Sequence, residues 1–197
     1  LTRLSLDRGG PRDLAAIGEG LTRARGLATT LAHERAPAEI RSALIALEAR
    51  DSGGFSDLIR LLKEALIDGP PLLARDGGFI AKGFDPGLDA VIGLRDESRR
   101  VIATLEADYR EQSGVRTLRI KHNNILGYFI ETPPSAGDVL MAPSMKARFI
   151  HRQTIASAVR FTTTDLADLD SRIARARDEA LARELEIYRR LAAAVLE

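Results

Sequence analysis

From Leu88 onward the apolar residues of this chain keep helical spacing, lose it, and regain it. That double switch limits the fold more than any other feature. Leu88, Val91, Leu94, Val101 or Ile102, Leu105 and Tyr109 make one helical stripe, which Gly114 ends as a glycine just past a helix does. From Thr164 a second stripe runs through Leu166, Leu169, Ile173, Ala176, Ala180, Leu185, Tyr188, Leu191 and Val195. At ~1.5 Å per residue this second helix is about 45–50 Å long. Its other face, with Arg172, Arg175, Arg177, Asp178, Glu179, Arg183 and Glu184, reads as a solvated mixture of signs. Between the two lie four segments with strand character, at 116–121, 127–132, 149–155 and 159–163. Pro133-Pro134 and Pro143 mark a connecting loop around a short helical turn at Asp138–Met141. The expected fold is therefore mainly α with a small antiparallel β insertion between one long helix going out and one coming back.

Residues 1–87 read as a helical portion. Pro11 and Asp13 open a helix with Leu14, Ile17, Leu21, Ala24, Ala28 and Leu31 on its stripe. Pro37 starts a second, with Ile40, Leu44 and Leu47, which Asp51-Ser52-Gly53-Gly54 breaks. Ser56 can cap a third, through about Ile67. Leu72-Leu73-Ala74 and Phe79-Ile80-Ala81 flank Asp76-Gly77-Gly78, which predicts a β-hairpin near 72–82. With 45% hydrophobic and 29% charged residues among 197, the composition is that of a globular chain of one or two domains. The absence of cysteine excludes disulfides, thiol nucleophiles and thiolate metal sites, and fits a reducing intracellular compartment. No apolar run is long enough for a membrane span. Leu1-Thr2-Arg3 offers neither an initiator Met nor a signal sequence, and the last helical pattern meets no stop signal. A piece of a longer protein is expected.

The formal charge of +1 would seem to argue against a nucleic-acid partner, but it is an average. Residues 116–160 hold seven basic side chains, Arg116, Arg119, Lys121, Lys146, Arg148, Arg152 and Arg160, against two acidic ones, Glu131 and Asp138. The rest of the chain is correspondingly acidic. A basic lobe beside an acidic body is the electrostatic footprint of polyanion binding. Lys and Arg on edge strands also discourage aggregation, and charge alone does not separate the two readings. His122-Asn123-Asn124, at a strand end, and Ile155-Ala156-Ser157-Ala158, between two strands, offer short polar side chains and close backbone approach, both suited to phosphate. A plain turn at Asn123-Asn124 remains the alternative.

These same segments carry a resemblance. Arg119-Ile-Lys-His-Asn-Asn-Ile-Leu-Gly-Tyr-Phe-Ile130 resembles the clamp segment of the MutS family of DNA mismatch-repair proteins. Phe149 to Thr163, with its Gln153-Thr154 pair and closing Arg160-Phe161, is similar to the second clamp signature. Gly9 to Leu14 and Asp68 to Gly78 are similar to the family's core, so the likeness runs along essentially the whole chain and looks bacterial.

The resemblance implies a helical core over 1–87, an outgoing lever helix over 88–115, a β-rich DNA clamp over 116–163 and a returning lever helix over 164–197, the antiparallel levers carrying the clamp at their tip. It implies sequence-independent contact with the backbone of duplex DNA, and transmission of the clamp state to an ATPase domain elsewhere. The Asn123 loop, with Asn124, and the Ala156-Ser157-Ala158 tip would face DNA, supported by Lys121, His122 and Arg152. For the full-length protein it implies a DNA-dependent ATPase with ATP and Mg, a homodimer, a MutL-type partner and a cytoplasmic, nucleoid-associated location. The chain departs from the commonest family pattern at Ser157, often Asn, at Val159, often Glu, and at Thr164, often Pro.

No G-x-x-x-x-G-K-[S/T] loop occurs, and the family's mismatch-wedging aromatic motif is absent, so neither ATP hydrolysis nor mismatch discrimination is expected of this chain. No catalytic residue, cofactor or metal ligand is assigned to it. Asp165, Asp168 and Asp170 lack the glycine and closing glutamate of a calcium loop and suit the start of a helix, where Thr162 with Asp165 could form a capping box. His33 has no partner at ligand spacing, and Gly18-Glu19-Gly20 lacks the rest of a dinucleotide fingerprint. Gly20 and Gly26 mark close packing or a weakened helix. The alternative from a different class is a helical scaffold whose small sheet binds a protein partner by strand addition.

Overall fold

The computed structural model describes residues 1–31, 37–48 and 54–197; His33, the Leu47 side chain and the break at Asp51-Ser52-Gly53 lie outside them. In chain order come helices α1 (Thr2–Ser5), α2 (Pro11–Leu31), α3 (Ala38–Glu48), α4 (Gly54–Ala65) and α5 (Pro86–Ser113). Strands β1 (Arg119–Asn123) and β2 (Gly127–Thr132), helices α6 (Pro134–Met141) and α7 (Pro143–Lys146), and strands β3 (Ile150–Ile155) and β4 (Ala158–Thr162) follow. Helix α8 (Thr164–Leu196) is the last element. The mainly α fold with one small antiparallel sheet is as the periodicity implies. The chain divides into two compact units, one of Leu1–Asp89 with Ala180–Glu197 and one of Ala90–Glu179.

In the first unit Leu14, Ile59, Leu62, Ala65, Phe79, Leu88, Ile187 and Leu191 are buried. Helix α4 begins at Gly54, so Ser56 lies inside it rather than capping it. A Cβ at Gly18 of α2 would meet the Leu62 side chain, whereas one at Gly20 or Gly26 would meet nothing within 4 Å, so close packing explains neither of the latter two. Asp85 caps α5 by accepting from the Leu88 N–H at 2.7 Å, with Pro86 as the first helical residue.

The expected hairpin across Gly77-Gly78 does not form. Ala74–Asp76 is a 3-10 turn, and Ile80 bridges instead to Leu66 at the end of α4, with the Ile67 and Ala81 amides donating to Phe79 and Ala65. Both glycines do take positive φ, at 67° and 72°. They lead the chain onto Glu184 of α8, whose carboxylate accepts the N–H groups of Gly78, Phe79 and Ile80 at 2.7, 3.0 and 3.2 Å. A side chain read as solvated is thus 4% exposed. Two three-residue strands have little stability of their own, and a carboxylate offering charge-assisted bonds wins those amides.

In the second unit the sheet order is β1-β2-β4-β3, antiparallel throughout. One face joins Tyr109, Leu118, Phe149 and Leu166 in a core through Ile130, Val159 and Phe161. Strand β1 starts at Arg119 rather than Arg116, because the residues before it form a turn closed by the Leu118 N–H on Val115. The double proline begins α6 instead of marking a loop, Pro134 being at N1, where its missing N–H is harmless. Thr163, not Thr162, caps α8: its hydroxyl accepts from the Leu166 N–H at 3.0 Å and pairs with the Tyr109 hydroxyl at 2.6 Å. Thr164 is therefore the first helical residue, the position where proline is well tolerated.

Candidate nucleic-acid interface

Alternation along the strands gives the sheet a second face, away from the core. The register sets Arg119 opposite Glu131, Lys121 opposite Phe129, Glu131 opposite Arg160, and Gln153 opposite Arg160. Glu131 is the shared acid of this face. Its Oε1 accepts from Lys121 Nζ at 2.6 Å and its Oε2 from Arg160 Nε at 3.0 Å. These bonds, with that from Lys121 foremost, outweigh desolvation and hold the Glu131 carboxyl below the usual carboxylate range. Arg160 also donates Nη1 to Gln153 at 2.9 Å and lies 4.8 Å over the Phe129 ring.

The expected contact residues are spread over the sheet and both of its hairpin loops. Lys121 stands on the outer face. His122 points to the opposite side, its ring 4.8 Å from that of Tyr128. Asn123 closes β1, and its Oδ1 accepts from the Ile125 and Leu126 amides at 2.9 and 2.7 Å. The turn reading of this residue is therefore realised, leaving Asn124 exposed in the loop. Gly127 ends that loop at φ 67°, and a Cβ there would overlap the Asp170 carboxylate, which accepts from the Tyr128 N–H at 3.2 Å. Ala156 and Ser157 form an exposed two-residue loop, while Ala158 is buried at the start of β4. Neither loop residue takes a positive φ, so backbone sterics do not demand small side chains there.

The register separates what the sequence suggests together. Because Ile130 pairs with Phe161 and Thr132 with Val159, the β3–β4 loop lies at the end of the sheet opposite the β1–β2 loop. At ~3.4 Å per residue the two loops are about 20 Å apart along the strands. Arg152 is the extra residue in the register shift of β3 between His151 and Gln153. It is exposed, and among the described residues no ion pair involves it. It lies on the far edge strand from Lys121, about 14 Å across the sheet.

The sequence reading gives no role to Arg160 and Gln153 beyond charge and motif, and none to Glu106 or to Asp170 as an anchor. Glu106 of α5 accepts from the Ile120 N–H at 2.6 Å, and Arg110 Nε donates to Leu118 O at 2.8 Å. Asp170 holds the β1–β2 loop, and Asp165 pairs with Arg148 at 3.6 Å. No group of three or more His, Cys, Asp or Glu able to hold a metal occurs among the described residues. No helix among them is long and apolar enough to cross a membrane.

Fold and surface together define a helix-borne β module, a small basic sheet inserted between two long helices. Residues 83–179 match MutS family domain IV, a span that includes the whole second unit. Over 197 residues the chain is 53% identical to the DNA mismatch repair protein MutS of Paracoccus denitrificans (strain Pd 1222), covering 100% of this chain and 22% of that protein. It is 49% identical over 198 residues to the protein of the same name from Nitrobacter hamburgensis, with 100% and 21% covered. The counterpart from Dinoroseobacter shibae is likewise 49% identical, over 196 residues, with 100% and 22% covered. The chain belongs to the MutS family of DNA mismatch-repair proteins, as the two clamp-like segments imply. It spans about a fifth of the length of the curated relatives it matches.

Proposed function

We propose that this chain is the lever and clamp part of a DNA mismatch-repair protein, and that its basic sheet rests on the backbone of duplex DNA without reading its sequence. The observation that carries this reading is the donor set of the sheet. Arg119 and Lys121 on the outer face, Arg152 on its bulge, and the Asn124 and Ser157 loops at the two ends suit phosphate oxygens. With the loops about 20 Å apart, the sheet lies along the duplex and touches phosphate at several points rather than entering a groove at one tip. Helices α5 and α8 serve as levers that pass the clamp state to an ATPase domain of the parent protein, which uses ATP and Mg. The parent acts as a cytoplasmic, nucleoid-associated homodimer with a MutL-type partner. Two clamps closing together supply the effective concentration that one lacks, so the single chain binds weakly.

Strand addition by a protein partner is disfavoured at both edges of the sheet. The Ile120 N–H of β1 is already taken by Glu106, and the register shift at Arg152 interrupts the ladder of β3.

Titration of binding to a short duplex against salt tests the proposal. The logarithm of affinity should fall linearly with that of salt, with a slope of about −0.9 per phosphate engaged. Lys121→Glu or Arg152→Glu should weaken every duplex alike and flatten the slope by about one. Affinity that follows base sequence, or ignores salt, would overturn the reading.

A further inference from the structure

Glu131 joins two cations that differ in how firmly they are held. Arg160 is fixed on three sides, by Glu131 Oε2, Gln153 Oε1 and the Phe129 ring, and its side chain is 20% exposed. Lys121 has a single bond, to Glu131 Oε1, and is 56% exposed. A planar guanidinium bonded and stacked at once gives up its place reluctantly, whereas an ammonium on a flexible stem exchanges partners easily. The three groups carry a surplus of one positive charge, and each cation has its own carboxylate oxygen. Lys121 can therefore leave without stranding Glu131, because Arg160 still neutralises it.

Resting on the reading of this face as a phosphate surface, we propose that Arg160 and Glu131 are positioning residues that form a permanent pair and keep Lys121 parked as an exchangeable cation for phosphate. Arg160 acts on DNA affinity through Glu131 and does not touch DNA. Its neutralising charge lowers the hold of the carboxylate on Lys121, and the carboxylate in turn keeps Lys121 from binding phosphate at full strength. The outcome is a surface graded for weak, reversible contact, as a sheet that settles and lifts along a duplex requires. The arrangement is encoded by register: only a β1–β2–β4 order with Glu131 on the central strand brings both cations to one acid.

The test is a mutant cycle in the 197-residue chain, read as affinity for a mixed-sequence duplex at low salt and as retention on heparin. Glu131→Gln should tighten binding about two- to fivefold, the scale of one exposed ion pair, and Arg160→Gln should weaken it by a similar factor. Both effects should vanish in a Lys121→Gln background, which a general change in net charge or a structural defect would not produce. Arg160→Lys, which keeps the charge, should stay near the parent value. Effects of Glu131→Gln that persist unchanged without Lys121, or a weakening where tightening is expected, would overturn the positioning role while salt-dependent binding by the parent chain keeps the surface itself. If neither the parent nor Glu131→Gln binds either polyanion, both proposals fall. Should only Glu131→Gln bind, the parking of Lys121 stands and the parent surface loses its assigned role. Should Arg160→Gln fail to fold, the Glu131→Gln comparison in the two backgrounds still decides.

Discussion

Glu184 in the first unit and Glu131 in the second are both carboxylates that several donors share, and the two are used in opposite ways. Glu184, 4% exposed, accepts three consecutive backbone amides, from Gly78 to Ile80. Glu131, with a side chain 16% exposed, accepts from two cationic side chains. The N–H groups of Phe79 and Ile80 are buried, and among the described residues the Glu184 carboxylate is their acceptor. A lysine at the surface has water and any passing anion. Burial and donor type, more than the number of bonds, separate a carboxylate that builds the fold from one that tunes a surface.

The largest effect should come from Glu184→Ala. It removes the acceptor of all three amides and leaves a void beside Phe79, whose ring meets Tyr188 edge-on at 6.3 Å. A destabilisation of about 3 kcal/mol or more is expected in urea unfolding, with early hydrogen exchange at Gly78, Phe79 and Ile80. Glu184→Gln keeps one carbonyl oxygen and should fall between. Unfolding at the parent midpoint would break the contrast between the two acids.

Second comes Gly127→Ala, which tests whether the second unit also contains a rigid carboxylate anchor. The substitution forces a Cβ into the left-handed region at φ 67° and against Asp170, at an expected cost of about 1–3 kcal/mol. Loss of duplex binding without loss of α-helical signal would place the damage in the β1–β2 loop. A third change, Tyr109→Phe, removes the hydroxyl paired with Thr163 in the core at a cost of about 1 kcal/mol. Burial, opposed by the bond to Thr163, pushes the Tyr109 phenol above its ordinary value. Its contribution is therefore complete below the unfolded tyrosine pKa and declines as pH rises towards the folded one. Tyr109→Phe should flatten the alkaline limb of a stability profile, and an unchanged limb would remove the phenol from that role.

How much of this the sequence makes legible depends on whether a feature is periodic or paired. The long helices and the strand at 127–132 follow from apolar spacing alone, and their bounds are close to those observed. Position 184 falls at helical spacing with Ala180, Ile187 and Leu191, all buried, but the sequence reading follows the neighbouring stripe of Leu185 and Tyr188 and leaves Glu184 on the solvated face. Its charge hides it, because nothing local shows that three amides wait there. The Gly77-Gly78 turn is legible as a break but not in its consequence, since the partner of Ile80 is Leu66 rather than the residues across the turn. In the sheet, alternation separates Lys121 from His122, yet only the register brings Arg160 and Lys121 to one acid and sends the two loops to opposite ends. Pairing across distant strands is a property of the fold, and a motif can carry it without displaying it.

The smallest effect should be that of Glu131→Gln on stability, and its smallness is informative. The Glu131 pKa is lowered chiefly by the Lys121 bond and then by Arg160, so the acid stabilises the fold fully above the ordinary Glu range and loses that contribution as pH falls through its lowered value. In Glu131→Gln the acid limb of the profile should flatten slightly, while stability near neutrality changes by no more than about 1 kcal/mol. If the loss at neutrality instead approached that of Glu184→Ala, the Lys121–Glu131–Arg160 cluster would be part of the frame. Lys121 could then not leave for phosphate at little cost. A small change in stability joined to a clear gain in duplex affinity would establish the opposite, an acid kept on the basic face for the contacts it restrains.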